Sequence, residues 1–277
     1  MWQTFGHNPA KQLLEKQLQR GIFPHAYLFI GPSGIGKKTL AREFAGKILN
    51  AANPGSHTDY IYYDAGSTGM EELRQFLGRL GTKPFAGKHK VAIIDNMDLA
   101  NPQMGNALLK TLEEPSPSTI LVLIASRNNL LPTIVSRCQV LSFNPLSGEE
   151  LMQYAGDSSL DDKILAASFG SPARLNALLQ DPDQLEEINA AVVKLEQANS
   201  GSVAERMLAV TDLAELEPEQ LREILLVWLY RQRAALANEP GRAATMSAIC
   251  ETLEHLNGMF NKKMALQRLL LQTYEMA

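Results

Sequence analysis

Residues 26–49 read AYLFIGPSGIGKKTLAREFAGKIL, and this stretch decides the fold. The apolar run 26–30 leads into a glycine-rich turn, which is followed by a segment with helical periodicity. A strand, loop and helix in this order is the context of a phosphate-binding loop, because the turn directs backbone N–H groups toward an anion at the helix N-terminus. The stretch therefore predicts an α/β domain built around a phosphate-binding loop.

The predicted loop carries the groups that normally hold phosphate, which are Gly31, Gly34, Gly36 and Lys37. At the next position, where a Ser or Thr hydroxyl would normally ligate magnesium, the chain has Lys38. Thr39 comes one residue late, and neighbouring helical residues point about 100° apart, so its hydroxyl reaches a metal only if the loop is rebuilt. Metal-assisted phosphoryl transfer is therefore in doubt, whereas nucleotide binding stays open.

The composition is that of a globular chain of two or three compact units, with 277 residues, 45% of them hydrophobic and 20% charged. The sequence shows neither a bilayer-spanning apolar run nor a secretory leader, so we expect a cytoplasmic protein with no membrane contact. A net charge of −4 argues against a uniformly basic, autonomous nucleic-acid binder. The two cysteines, Cys138 and Cys250, are too few for a four-cysteine zinc site.

Apolar runs alternate with helical stretches in the first half of the chain. Strands are predicted at 27–30, 60–63, 91–94, 120–125 and 139–143, and helices at 11–20, 38–49, 70–79, 104–112 and 131–135. Short apolar strands between helices indicate a parallel sheet that is covered on both faces. From residue 148 onward the pattern is helical. We therefore predict an α/β domain at 1–146, a small helical domain at 147–183 and a helical bundle at 184–277.

Two apolar stripes of the predicted bundle are interpreted as core, because such stripes more often pack than bind. The first stripe comprises Leu221, Ile224, Leu225, Trp228 and Leu229. The second comprises Met264, Leu266, Leu269, Leu270 and Leu271.

The predicted strand at 91–94 ends in an acid, Asp95. A carboxylate at the carboxyl edge of such a strand can hold magnesium through water. In ATP-hydrolysing proteins of this layout the next residue is an acid that polarises the attacking water, but here it is Asn96, which cannot accept a proton. Asp98 lies two residues further on, and a helix cap is favoured over a substitute base.

The segments NALLKTLEEP at 106–115 and IASRNNLLPTIVSRCQVLSF at 124–143 closely resemble the bacterial clamp-loader subunits of DNA polymerase III, which belong to the AAA+ class. The resemblance includes HAYLFIGPSGIGK at 25–37 and GSPARL at 170–175, and extends more weakly to NKKMALQRLLLQ at 261–272. It implies an AAA+ P-loop domain, a small helical lid and a C-terminal collar, in the order of the three predicted domains.

The resemblance also implies roles for single residues. Arg137, in the motif SRC, matches the arginine finger that these subunits present to ATP in a neighbouring subunit. A guanidinium suits that role because it stays charged and can donate two parallel hydrogen bonds, and a surface salt bridge is the alternative. Arg174 matches the second sensor arginine, with a tether between domains as its alternative. Arg127 lies in the first sensor region, where an ordinary loop charge is favoured.

Departures from the family pattern narrow the functional prediction. A hydroxyl is missing at Lys38 and an acid is missing at Asn96. Both departures agree with a stationary subunit of the family, which does not hydrolyse ATP, rather than with a gamma/tau motor subunit. Residues 49–59 contain no cysteine, so the zinc module of many relatives is not expected. No cofactor is required on this interpretation, and weak ATP or ADP binding is left open.

The family implies gamma/tau and delta subunits as partners, and the sliding clamp and primed DNA through the assembled complex. Two alternatives remain open. One is a functioning ATPase motor in which Thr39 or water replaces the missing ligand. The other is a nucleotide-independent scaffold in which Arg137 is only structural.

Overall fold

The computed structural model describes residues 2–66, 69–100, 102–127, 129–236, 242–256 and 261–275. The chain forms two compact units. Unit 1 comprises Met1–Glu150 and Ser171–Ala173, and unit 2 comprises Leu151–Gly170 and Arg174–Ala277. The predicted division into three domains stays a prediction.

Unit 1 is built on a sheet whose strands, over the described residues, run in the order β2-β3-β4-β1-β5 with every pairing parallel. The strands are β1 (Ala26–Ile30), β2 (Tyr60–Asp64), β3 (Lys90–Asp95), β4 (Thr119–Ala125) and β5 (Gln139–Ser142). Strands β3 and β4 are buried along their whole length, as expected for a parallel sheet covered on both faces. The predicted α/β class and the predicted strands are confirmed.

Helices cover both faces of the sheet. Successive side chains of a strand point to opposite sides, so the apolar strands present side chains to be buried on each face. One apolar cluster includes Leu28, Ile94 and Leu123, and the other includes Tyr27 and Phe29. The helices of unit 1 are α1 (Asn8–Arg20), α2 (Lys37–Leu49), α3 (Met70–Leu80), α4 (Pro102–Glu113) and α5 (Pro132–Val135), with short 3₁₀ turns at Pro54–Ser56 and Met97–Leu99.

The carboxyl ends of the parallel strands meet at one edge of the sheet. The glycine-rich loop leaves that edge after Ile30 and enters α2. Asp64 and Asp95 are paired in the register of β2 and β3, so the ends of these strands lie side by side at the same edge. The fold thus places the glycine-rich loop and Asp95 at the same edge of the sheet, whereas Arg137 precedes β5 and lies at the amino ends of the strands.

Unit 2 is helical over its described residues. After α6 (Gly148–Ala155), the helices are α7 (Asp162–Ser168), α8 (Pro172–Gln180), α9 (Pro182–Ser200), α10 (Val203–Glu215), α11 (Pro218–Ala235), α12 (Arg242–His255) and α13 (Lys262–Glu275); α6 and α8 each begin in unit 1. Among the described helices, none combines the length and the apolar character that a membrane span requires.

The first predicted stripe lies mainly in the core of unit 2, where Leu221, Leu225 and Trp228 are fully buried. The second stripe is core only in part. Leu266, Leu269 and Leu270 are buried, whereas Met264 is 69% exposed and Leu271 is 38% exposed. The stripe on α13 is therefore wider than the face that the helix buries.

Candidate functional site

The lysine of the glycine-rich loop is turned onto the loop itself. Lys37 begins α2 and is buried, and its Nζ donates to the carbonyl oxygens of Gly31 at 2.5 Å and Pro32 at 2.6 Å. Burial lowers the pKa of Lys37, while the negative charges of Asp98 and Asp95 oppose that shift. In this arrangement the ammonium stabilises the loop by binding its carbonyls.

Two glycines of the loop are required by contacts within the protein. Gly34 has φ +75°, and a Cβ at this position would lie 2.4 Å from Oγ of Ser171. Gly36 has φ +106°, and a Cβ there would lie 3.0 Å from Cγ2 of Thr4. Glycine is therefore needed at both positions for backbone conformation, and at Gly34 also for space, whether or not a phosphate binds.

Gly31 and Thr39 are the two remaining positions of this segment that the sequence singled out. The N–H of Gly31 donates to the carbonyl oxygen of Ala125 at 3.2 Å, and a Cβ on Gly31 would lie 2.1 Å from the carbonyl oxygen of Phe143. Thr39 is exposed on α2. The first glycine is thus fixed by the edge of the sheet.

The amino-terminal segment lies against the loop and α2, which the sequence analysis did not predict. The N–H and Oγ1 of Thr4 donate to Oε1 of Glu43 at 2.8 and 2.9 Å. Nε2 of His7 lies 2.7 Å from the carbonyl oxygen of Ile35, to which a neutral ring protonated at Nε2 donates. Burial lowers the pKa of His7 and so favours the neutral ring.

Lys38 forms an ion pair with Asp95, the carboxylate that was predicted to hold magnesium. Its Nζ lies 3.0 Å from Oδ2 of Asp95 and donates to the hydroxyl of Tyr62 at 2.7 Å. The Tyr62 hydroxyl donates to the same Oδ2 at 3.0 Å, and Nζ lies 4.7 Å from the centroid of the Tyr62 ring. The hydrogen bond to Tyr62 and the interactions with Asp95 raise the pKa of Lys38, although burial opposes them.

The Asp95 carboxylate is therefore satisfied by groups of the protein. Oδ2 is held by Lys38 and Tyr62, and Oδ1 accepts from the backbone N–H of Asn96 at 3.0 Å. A magnesium ion at this carboxylate would have to displace the ammonium, and position 38 offers it no hydroxyl. As arranged, this donor set does not suit a magnesium ion.

Neither Asn96 nor Asp98 is arranged as a general base. Asn96 has φ +54°, and its Nδ2 donates to Oδ1 of Asp64 at 2.8 Å. Oδ1 of Asp98 accepts from the backbone N–H of Ser126 at 2.8 Å, which is a different contact from the helix cap that the sequence favoured. Asp98 thus ties the turn after β3 to the end of β4.

Arg137 follows α5 and is held on unit 1. Its Nη2 lies 2.9 Å from Oε1 of Glu113, and its Nη1 donates to the carbonyl oxygen of Thr133 at 2.9 Å. The side chain of Arg137 is 35% exposed and that of Glu113 is 52% exposed. A salt bridge is thus the contact present, and the role in a neighbouring subunit stays a prediction. Arg127 is exposed after β4.

Arg174 makes its described contacts inside unit 2. It forms an ion pair with Glu223 of α11, and its Nε donates to the carbonyl oxygen of Ala167 at 2.7 Å. Its guanidinium lies 5.5 Å from the centroid of the Phe169 ring. These contacts hold α8 to α11, and a sensor role for Arg174 stays a prediction.

Among the described residues, no group of three or more His, Cys, Asp or Glu side chains is placed to hold a metal ion. Burial raises the pKa of the Cys138 thiol to about 12, so this side chain is protonated at neutral pH. Cys250 is a free, exposed thiol.

Tyr62 and Glu113 were not predicted from the sequence. Residues 61 and 63 of β2 are buried, so strand alternation places Tyr62 on the opposite side, and that alternation could have drawn attention to it. Glu113 lies within NALLKTLEEP and was read only as part of a family motif. Its contact with Arg137 joins two separate helices, for which the sequence carries no spacing signal.

Comparison with known proteins gives matches of three kinds. A family model described as DNA polymerase III, delta subunit, matches residues 6–147, which is slightly more than half of the chain. DNA polymerase III subunit delta' of Pseudomonas aeruginosa is 34% identical over 193 residues, covering 59% of this chain and 58% of that protein. DNA polymerase III subunit tau of Bacillus subtilis is 34% identical over 166 residues, covering 53% of this chain and 29% of that protein.

The chain spans less than two thirds of the length of these relatives. Among solved structures, a RuvB mutant of Thermotoga maritima aligns with a TM-score of 0.50 at 15% identity, covering 95% of this chain and 87% of that one. At this identity the match concerns the fold alone.

Proposed function

The chain belongs to the DNA polymerase III delta-subunit family, and from that premise we propose that it is a delta-prime-like subunit of the DNA polymerase III clamp loader. In this role it assembles with gamma/tau and delta subunits and helps load the ring-shaped sliding clamp onto primed DNA. It acts as a stationary subunit that does not hydrolyse ATP itself. It donates Arg137 to ATP that is bound in a neighbouring ATPase subunit.

The observation that carries this proposal is the ion pair between Lys38 and Asp95. P-loop ATPases hold magnesium with a Ser or Thr hydroxyl and an acid at the end of a neighbouring strand. In this chain the hydroxyl is replaced by an ammonium, and the acid is neutralised by that ammonium at 3.0 Å. Since the raised pKa of Lys38 keeps it charged at neutral pH, magnesium at Asp95 would meet a competing cation.

A second, independent loss supports the same proposal. The residue that should polarise the attacking water is Asn96, whose amide donates to Asp64 at 2.8 Å. An amide cannot accept a proton at neutral pH, so general-base catalysis has no group at this position. The same site therefore lacks both a suitable set of magnesium ligands and a general base.

On this proposal the chain requires no cofactor, binds ATP or ADP weakly if at all, and carries no zinc. A nucleotide phosphate would have to draw Lys37 away from the carbonyls of Gly31 and Pro32. Metal analysis of protein purified without chelators should find well under one zinc per chain. Zinc that stays stoichiometric through gel filtration contradicts this part of the proposal.

Arg137 is suited to act on a phosphate outside its own unit. Its guanidinium stays charged, and its side chain is 35% exposed on unit 1. The contacts with Glu113 and Thr133 engage two of the five N–H donors of an arginine. The remaining donors suffice for a bidentate contact with phosphate oxygens.

The proposal is tested in two assays. In the first, the purified chain is supplied with Mg-ATP, and its turnover should not exceed that of a Lys37→Ala control; a clearly higher, metal-dependent rate supports an ATPase motor instead. In the second, Arg137→Ala is reconstituted with wild-type gamma/tau and delta subunits, and DNA-stimulated ATP turnover is measured. Loss of an arginine finger lowers the rate of the chemical step by a factor of about 10³–10⁵ at a single site. In a ring with several ATP sites, total turnover falls only by the part that this interface contributes.

A second candidate is a scaffold in which Arg137 serves only the fold. The salt bridge between Arg137 and Glu113 is the observation that favours it. The same reconstitution separates the candidates once melting temperature and assembly are shown to be unchanged. Wild-type turnover with Arg137→Ala then establishes the scaffold and refutes the donation of Arg137.

A further inference from the structure

The guanidinium of Arg137 is anchored from two helices. Glu113, the last residue of α4, contacts Nη2 at 2.9 Å, and the backbone of Thr133 in α5 accepts from Nη1 at 2.9 Å. Two such contacts on different nitrogens fix both the position and the plane of a planar group. The orientation of Arg137 is therefore set inside its own subunit.

The pair is too exposed for its main effect to be on stability. With side chains 35% and 52% exposed, it belongs to the class of ion pairs that change a folding equilibrium by at most about fivefold. A free arginine side chain samples many rotamers, and only a small fraction of them directs the guanidinium at one outside point. An exposed pair that contributes little to folding can thus still select the conformation that Arg137 presents.

We infer that Glu113 is a positioning residue that pre-orients Arg137 for the phosphate of the neighbouring subunit. This inference rests on the proposed function, because it presupposes that Arg137 acts outside its own chain. In this arrangement Glu113 holds one nitrogen and leaves other N–H donors of the guanidinium for the phosphate. It touches no substrate and acts only through Arg137.

The test uses the complex reconstituted with wild-type gamma/tau and delta subunits and compares Glu113→Ala with two references. Arg137→Ala defines the full loss of turnover at this interface. Glu114→Ala is the matched control, since Glu114 is the neighbouring exposed glutamate and its removal changes the charge equally. Both kcat and KM for ATP are measured, together with assembly and melting temperature.

Misplacing a positioned group by about 1 Å can cost up to about 100-fold in rate. For Glu113→Ala we expect a fall of about tenfold in the kcat attributable to this interface, with KM, assembly and melting temperature near wild type. Glu114→Ala should match wild type throughout. A Glu113→Ala complex with wild-type or increased kcat overturns the inference, because Glu113 then either plays no part or competes with the phosphate.

Reversing the pair tests whether the guanidinium must lie after α5 or whether the ion pair alone sustains turnover. Glu113→Arg combined with Arg137→Glu can re-form the ion pair, but it places the guanidinium on α4 instead of after α5. If the guanidinium must lie after α5, as the inference requires, turnover stays as low as in Arg137→Ala although the fold is stable. Recovery of turnover by the reversed pair means that only the contact matters, which overturns the inference.

The donation of Arg137 and its positioning by Glu113 are refuted by different results. If Arg137→Ala leaves turnover unchanged in an intact complex, the donation of Arg137 is refuted, and the role of Glu113 falls with it. If Arg137→Ala lowers turnover but Glu113→Ala does not, only the role of Glu113 is refuted. Either single variant can be scored, because each removes one exposed side chain and leaves the buried clusters untouched.

Discussion

Replacing Lys38 by methionine tests whether the lysine serves as the internal counterion of Asp95. The substitution removes the ammonium while keeping a long, unbranched side chain on α2. Asp95 is 7% exposed and would retain its contacts with the Tyr62 hydroxyl and the Asn96 N–H, both at 3.0 Å. The cost should therefore be that of a buried carboxylate that keeps two of its three partners.

The structure sets a lower and an upper limit on the free energy of unfolding that Lys38→Met should remove. At 3.0 Å the Coulomb energy of the pair is about 1.4 kcal/mol in water and about 5.5 kcal/mol at an effective dielectric constant of 20. Because the Lys38 side chain is 60% exposed, solvent screening and the ordering of the side chain offset most of this energy. Breaking a fully buried pair costs about 3–5 kcal/mol. We expect Lys38→Met to lower the free energy of unfolding by about 1–2 kcal/mol.

The assay is urea unfolding of the wild type, Lys38→Met and a Lys47→Met control. Lys47 lies on the same helix, and its Nζ is 4.7 Å from the Trp2 ring, the same distance at which Lys38 lies from Tyr62. The control thus matches the loss of a cation–π contact and leaves the contacts of Lys38 with Asp95 and with the Tyr62 hydroxyl as the difference between the two variants. Equal stability of Lys38→Met and Lys47→Met refutes the view that Asp95 depends on Lys38.

Three further predictions concern the same unit. Asp59→Asn should lower the free energy of unfolding by about 2–3 kcal/mol, because the buried carboxylate accepts from the N–H groups of Phe85 at 2.6 Å and Ala86 at 2.8 Å; a cost no larger than that of exposed Asp157→Asn in urea unfolding contradicts this. Burial lowers the pKa of His7 below 6.5, so the unfolded chain binds the proton first and stability falls as pH drops below 6.5. His7→Gln should make that fall shallower in urea titrations between pH 6.5 and 5, and parallel curves refute it. In calorimetry, Lys38→Thr should bind ATP more tightly with magnesium than with EDTA. The wild type should show no such preference, and a magnesium preference in the wild type counts against the proposed metal-free site.

The strands and the loop could be predicted because their signals are local. Apolar runs such as 120–125 leave little choice but a buried strand, and the glycines at 31, 34 and 36 mark the turn that follows β1. The partner of Lys38 could not be predicted in the same way. The lysine was read as a missing metal ligand, and its pairing with Asp95 became apparent only when the end of β3 and the start of α2 were placed side by side.

Contacts that depend on the backbone were also beyond the sequence analysis. Asp59 was given no role from the sequence, yet its carboxylate accepts from the N–H groups of Phe85 and Ala86, which lie far along the chain. Every residue except proline carries such an N–H, so no residue type announces the contact. The partner of Arg174 was missed for a related reason, because Glu223 is one of several acids on the helices of unit 2 and nothing local distinguishes it.

The most direct test of the central claim is clamp loading by a reconstituted complex. Gamma/tau and delta subunits are combined with or without this chain, and loading of the sliding clamp onto primed DNA is measured with ATP and magnesium. We expect a stable complex that contains this chain and loading that depends on its presence, although the chain alone turns over no ATP. Full loading by gamma/tau and delta without the chain, or the absence of any complex with them, contradicts the account.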